Sequence, residues 1–141
     1  MPEAQRKTIP DPDRYADMMI EGQLAMAKSP WFRFFLDFDP APTLEKVKCP
    51  VLALFGEKDL QVPAEPNRKA VVAALAKGGN PDVTVKIFAG ANHLYQAAVT
   101  GGVSEYATLK KEFVPGFLET ISQWILEKTR PAPPAVKNPA P

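Results

Sequence analysis

The 141 residues suffice for one compact domain and are too few for two ordinary ones. Hydrophobic residues make up 45% and charged residues 23%, which fits a soluble globular protein and excludes a disordered or collagenous chain; a net charge of +1 without long runs of like charge gives no footprint for nucleic acid or an anionic membrane. A single cysteine, Cys49, and a single histidine, His93, exclude an internal disulfide, a multi-cysteine zinc site and a His-rich metal cluster, and no motif calls for a cofactor.

The first seven residues, Met-Pro-Glu-Ala-Gln-Arg-Lys, lack the apolar core of a signal peptide, and no later stretch is long and apolar enough to span a membrane. The chain therefore reads as soluble, with the cytoplasm as the favoured compartment. Residues 1–12 read as an N-terminal extension. From Asp13 to Ala27, Tyr15, Met19 and Leu24 recur at roughly helical spacing, with Gly22 as the weak point. Ser29 can then cap, and Pro30 suits the first turn of, a short aromatic helix whose Trp31, Phe34, Phe35 and Phe38 share one face. That face reads first as core and second as the wall of a substrate pocket or lid.

Pro50 to Phe55 is a continuous apolar run between proline and glycine, the pattern of a strand buried on both faces of a parallel sheet. A helix follows from Arg68 to Lys77, with Ala70, Val71, Ala74 and Leu75 facing inward and Gly78-Gly79 closing it. Val83 to Phe88 is a second strand, rich in β-branched residues. Strand, helix and strand in that order give a right-handed parallel crossover, so the fold class is α/β. A last helix, from about Pro115 to Lys128, would lay Phe117, Ile121, Trp124 and Ile125 on the sheet. The partial α/β domain thus spans 13–128, and the proline-rich residues 129–141 read as an extended tail. Neither Gly78-Gly79 nor Gly101-Gly102 has the flanking pattern of a phosphate-binding loop.

The chemistry lies where the strands end. In an open parallel sheet the carboxyl ends of adjacent strands face one crevice, and Asp59 and His93 each lie just past such an end. A buried carboxylate can accept from one imidazole nitrogen and fix the tautomer, leaving the other nitrogen as a general base; Asp59 and His93 would then be two members of a hydrolytic triad. Glu57 is the second candidate for the acid. The plain alternative is a polar turn and a surface histidine. No nucleophile accompanies the pair: Ser29, Ser104 and Ser122 are the only serines, none follows a strand or is flanked by glycines, and Thr100 is no better placed. Cys49, at the entrance of a strand, reads as a small buried residue.

The segments Ser29–Pro40, Leu44–Val62 and Asn92–Gln96, together with Thr100-Gly101, Glu105-Tyr106 and Phe117–Ile125, resemble the C-terminal part of α/β-hydrolase fold enzymes, in particular bacterial EstD-type carboxylesterases. The resemblance implies that Asp59 is the triad acid and His93 the triad base, in the chain order of that fold, and that a small-molecule ester is the substrate of the complete enzyme. It also implies a Gly-x-Ser-x-Gly nucleophile elbow upstream of the acid, which none of the 141 residues supplies. The chain alone is then expected to be nearly inactive. A thioesterase or peptidase of the same fold, or a non-catalytic interaction module built from hydrolase parts, are the alternatives. Two strands leave one edge of the Val51–Phe55 segment bare, so a second copy of the chain, or a separate upstream half of the fold, is expected to cover it.

Overall fold

A computed structural model describes residues 10–130, and the chain divides after Pro40 into two compact units. Residues 1–9 and 131–141, which hold most of the expected N-terminal extension and the proline-rich tail, lie outside the described residues.

The first unit is a pair of helices, α1 (Pro12–Lys28) and α2 (Pro30–Asp37). Asp11 caps α1 by accepting from the Arg14 N–H at 3.0 Å, and Ser29 caps α2 by accepting from the Phe32 N–H at 3.2 Å, with Pro30 in the first turn. The helix α1 runs unbroken through Gly22. On α2, Trp31 stacks on Phe35 at 5.7 Å and Phe34 packs on Phe38 at 5.5 Å, yet all four rings are exposed. The expected core face is not a core: no described residue of this unit is buried.

The second unit carries α3 (Ala41–Leu44), β1 (Val51–Gly56), α4 (Ala64–Lys77), β2 (Val83–Phe88), a 3₁₀ turn (Val103–Glu105) and α5 (Phe117–Thr129). β1 and β2 pair in parallel, with Val51 opposite Val83 and Gly56 opposite Phe88, and α4 makes the crossover. This is the α/β architecture expected. α4 begins four residues before Arg68, because Pro66 falls in the first turn, where a missing N–H leaves no bond unmade. Of its expected inward residues, Ala74 and Leu75 are buried, Val71 is half-buried and Ala70 is exposed.

Side chains alternate across a strand, so Leu52, Leu54, Thr84, Lys86 and Phe88 share one face of the sheet. α5 lies along that face. The Trp124 indole N–H donates to Thr84 Oγ1 at 3.2 Å, Lys86 donates to Thr120 Oγ1 at 2.6 Å, and Lys128 pairs with Asp82 at 2.5 Å. Phe117 is buried, Ile121 and Trp124 are half-buried, and Ile125 is exposed. β1 itself is not buried on both faces: only Phe55 and Gly56 are, while Val51 to Leu54 are half-buried, since a two-stranded sheet leaves one flank of β1 without a neighbour.

The core gathers beneath the end of β2, where Phe88, Ala91, Val114 and Phe117 pack with Leu54, Tyr95 and Ile121. At the other end of the sheet, the buried Asn80 side chain donates to the carbonyls of Val47 (3.0 Å) and Cys49 (2.9 Å) and so holds the approach to β1. Cys49, expected to be buried, is exposed: it precedes the strand and only its carbonyl is engaged. Among the described residues no helix is long and apolar enough to cross a membrane.

Candidate active site

Leaving β1, the chain makes a tight turn through Glu57, Lys58 and Asp59, and leaving β2 it turns through Ala89 to Ala91 into Asn92 and His93. Main-chain bonds join the two turns: Glu57 N–H donates to Phe88 O at 3.0 Å and Lys58 N–H to Ala91 O at 2.8 Å. Gly56 is where they touch, since a Cβ there would stand 2.6 Å from the carbonyl oxygens of Ala91 and Asn92.

Asp59 is buried, and both of its oxygens are used. Oδ1 accepts from the N–H groups of Gln61 and Val62, each at 2.9 Å, which folds the start of the loop to α4 around the carboxylate. Oδ2 lies 2.9 Å from His93 Nδ1. Burial pushes the Asp59 carboxyl up, but the N–H of Val62, the His93 ring and the N–H of Gln61 pull it further down, so it sits below its ordinary value of 3.8. An ionised carboxylate only accepts, so Nδ1 is the donor, and in the neutral ring the lone pair then lies on Nε2, which has no partner among the described residues. The imidazole is 41% exposed, so this nitrogen can meet a second reactant.

The histidine turn is organised by its neighbour. Asn92, fully buried, accepts on Oδ1 from Leu94 N–H (2.9 Å) and Gln96 N–H (3.0 Å), while its own N–H donates to Gln96 O at 3.0 Å. The turn needs a left-handed residue, which is Tyr95 at φ 55°. Tyr95 then anchors the turn on the core, its hydroxyl donating to Leu54 O at 2.7 Å.

Of the residues singled out from the sequence in the second unit, the structure brings Asp59 and His93 together and leaves the others apart. Glu57 turns away and accepts from Gly90 N–H at 2.7 Å, without a bond to His93. Ser29 caps α2 in the first unit; in the second, Ser122 donates to Leu118 O within α5 at 2.8 Å, Thr100 accepts from Gly102 N–H at 3.1 Å, and neither of these nor Ser104 is bonded to His93. Beside the turn that carries Asp59 a cleft of about 460 Å³ opens, lined by Glu57, Asp59, Leu60, Pro63, Pro66 and Ile87 among others. Sequence reasoning gave no role to Asn92 or Tyr95. The signal for Asn92 was present, an asparagine immediately before a turn, where its side chain mimics a backbone turn.

Comparison with curated proteins returns no match, and neither does comparison with solved structures. A family model does match: that of the prolyl oligopeptidase family, over residues 25–115, which is well over half of the chain and includes both strands, Asp59 and His93. With its parallel strands, helical crossover and flanking helices, this chain belongs to the prolyl oligopeptidase family of α/β-hydrolase fold serine hydrolases.

Proposed function

We propose that this chain supplies the acid and the base of a Ser-His-Asp triad that hydrolyses carboxylic esters, in the manner of the EstD-type carboxylesterases it resembles, with the nucleophilic serine provided by residues outside this sequence. The observation that carries the proposal is the 2.9 Å hydrogen bond between Asp59 Oδ2 and His93 Nδ1 at the carboxyl ends of two adjacent parallel strands.

In this reading, ionised Asp59 keeps the proton on Nδ1, and Nε2 removes the proton from the serine hydroxyl as its oxygen attacks the acyl carbon. The imidazolium then hands that proton to the leaving alkoxide as the C–O bond breaks, leaving an acyl-enzyme and free alcohol. Water repeats the sequence: Nε2 takes its proton, the hydroxide attacks, and the serine oxygen leaves with the proton returned. General base catalysis of this kind is worth about 10²–10⁴-fold in rate. The description of the matched family favours a second reading, a peptidase, in which the same pair must protonate a poorer leaving group, an amine.

The test is an intact-mass measurement after treatment with a fluorophosphonate. The 141-residue chain is expected to take no adduct. Joined to a segment carrying a Gly-x-Ser-x-Gly elbow, it should take one and hydrolyse p-nitrophenyl esters, and lose that activity on Asp59→Asn or His93→Ala. An adduct on the chain alone would overturn the placement of the nucleophile, peptide cleavage without ester cleavage would favour the second reading, and inactivity of the joined protein would leave a non-catalytic module.

A further inference from the structure

Residues 98–101 follow the histidine turn with almost nothing apolar to fix them: Val99 is 78% exposed and Thr100 is exposed too. The segment is instead gripped through its main chain from two sides. Lys58 Nζ donates to the carbonyls of Ala98 and Val99, each at 2.9 Å. The Glu105 carboxylate accepts from the N–H groups of Val99 (3.3 Å), Thr100 (3.1 Å) and Gly101 (2.6 Å). A cation takes the segment's acceptors and an anion takes its donors, and bonds to charged groups are about twice as strong as neutral ones. The N–H groups of Thr100 and Gly101 hold the Glu105 carboxyl below its ordinary value, which keeps that anion charged.

The placement of Lys58 gives the grip its meaning. Lys58 stands between Glu57 and Asp59, its N–H is bonded to the histidine turn at Ala91 O, and its carbonyl lies against Gly101, where a Cβ would stand 1.9 Å away. Further along, Gln61 Nε2 donates to Tyr106 Oη at 2.9 Å. The loop beyond His93 is therefore fastened to the acid turn both before and after Asp59.

We propose that Lys58 and Glu105 are positioning residues that hold segment 98–101 against the acid turn and thereby set the separation of Asp59 and His93. Neither side chain is bonded to His93 or Asp59, so each acts through the main chain. The inference rests on the Asp59–His93 reading above, and it matters because a misplacement of about 1 Å in a catalytic pair lowers rates by about 10²-fold.

His93 is the only histidine, so the imidazole ¹⁵N shifts of the labelled chain report one ring and its Nδ1–H to Nε2–H tautomer ratio. The native chain should favour Nδ1–H. Lys58→Met and Glu105→Gln should each lower the ratio at least twofold while circular dichroism shows a folded chain, and Lys58→Arg should restore it. An unchanged ratio in folded Lys58→Met and Glu105→Gln overturns the proposal, and so does loss of the fold in both, which would make the grip purely structural. If only one variant folds, that one decides. Asp59→Asn separates the two readings: if it leaves the ratio unchanged, the acid and base pair itself fails, whatever Lys58 does.

Discussion

Tyr95 lies nearly flat against Phe117, ring centroids 4.2 Å apart, and thereby ties the turn carrying His93 to the first turn of α5. Its hydroxyl reaches Leu54 O at 2.7 Å. Parallel strands bond a neighbour through alternate residues, and Val51 N–H donates toward β2 at Asp82 O, so Leu52 and Leu54 present their main-chain groups to the free edge of β1. Tyr95 thus occupies one acceptor of that edge. Tyr95→Phe should destabilise the chain by about 1 kcal/mol through the lost hydrogen bond, and Tyr95→Ala by about 3 kcal/mol through the lost ring, both read from urea unfolding.

Burial pushes the Tyr95 phenol up, and the Asp59 charge adds to it, so its folded value lies above the ordinary 10.0. Above pH 10 the unfolded chain gives up this proton before the folded one does. Stability from Tyr95 is therefore complete below about pH 10 and is lost as pH rises through the folded value. Unfolding free energies taken from pH 9 to 11 should fall more steeply in the native chain than in Tyr95→Phe.

Asp59 works in the opposite sense. Its folded value lies below 3.8, so the unfolded chain binds the proton first on acidification. Its contribution is complete above the unfolded value and is lost as pH falls through the folded one. Between pH 5 and 2 the native chain should lose stability faster than Asp59→Asn, which has no proton to bind there, whereas Glu57→Gln should leave the His93 tautomer ratio as it is in the native chain.

Glycine substitutions separate backbone strain from close approach. Gly90 has φ 66° with open space around it, and Gly90→Ala should destabilise by about 1 kcal/mol. Gly56→Ala drives a methyl group into two carbonyl oxygens and should destabilise by about 2–3 kcal/mol. Gly101→Ala meets both penalties, φ 82° and the Lys58 carbonyl, and should be the worst of the three by urea midpoint.

Association is the remaining expectation. We propose that the free edge of β1 is covered by a second copy of the chain, since unpaired strand edges recruit other chains. Light scattering should then give at least twice the mass of 15.4 kDa, and a monomer that unfolds cooperatively would rule this out.

Much of this arrangement could be read in the sequence. The apolar run closed by Pro50 and Gly56 and the β-branched run from Val83 to Phe88 carry their own strand signal, and the residues following such strands are where chemistry collects, which is how Asp59 and His93 stood out. Other features depended on partners that no local pattern encodes. The helix expected from Arg68 starts at Ala64, with Pro66 in its first turn; Cys49 looked like core and is exposed; Val51 to Leu54 looked doubly buried, yet their burial is set by what packs around them. The grip of Lys58 and Glu105 on one loop joins positions 47 apart by hydrogen bonds to main-chain atoms, which carry no residue signature.

Because Gly56 rests on the carbonyls of Ala91 and Asn92, and Lys58 on Ala91, the two turns behave as one mechanical part. Lengthening either turn alone would break these main-chain contacts and so disturb the placement of Asp59 against His93. The connection at Lys77 to Pro81, at the opposite end of the sheet, is held by contacts of its own, Gly78 on Glu45 and the Asn80 side chain on the carbonyls of Val47 and Cys49, but none of these reaches either turn. It is there that evolution or an engineer could insert sequence while the distance between Asp59 and His93 stays as it is.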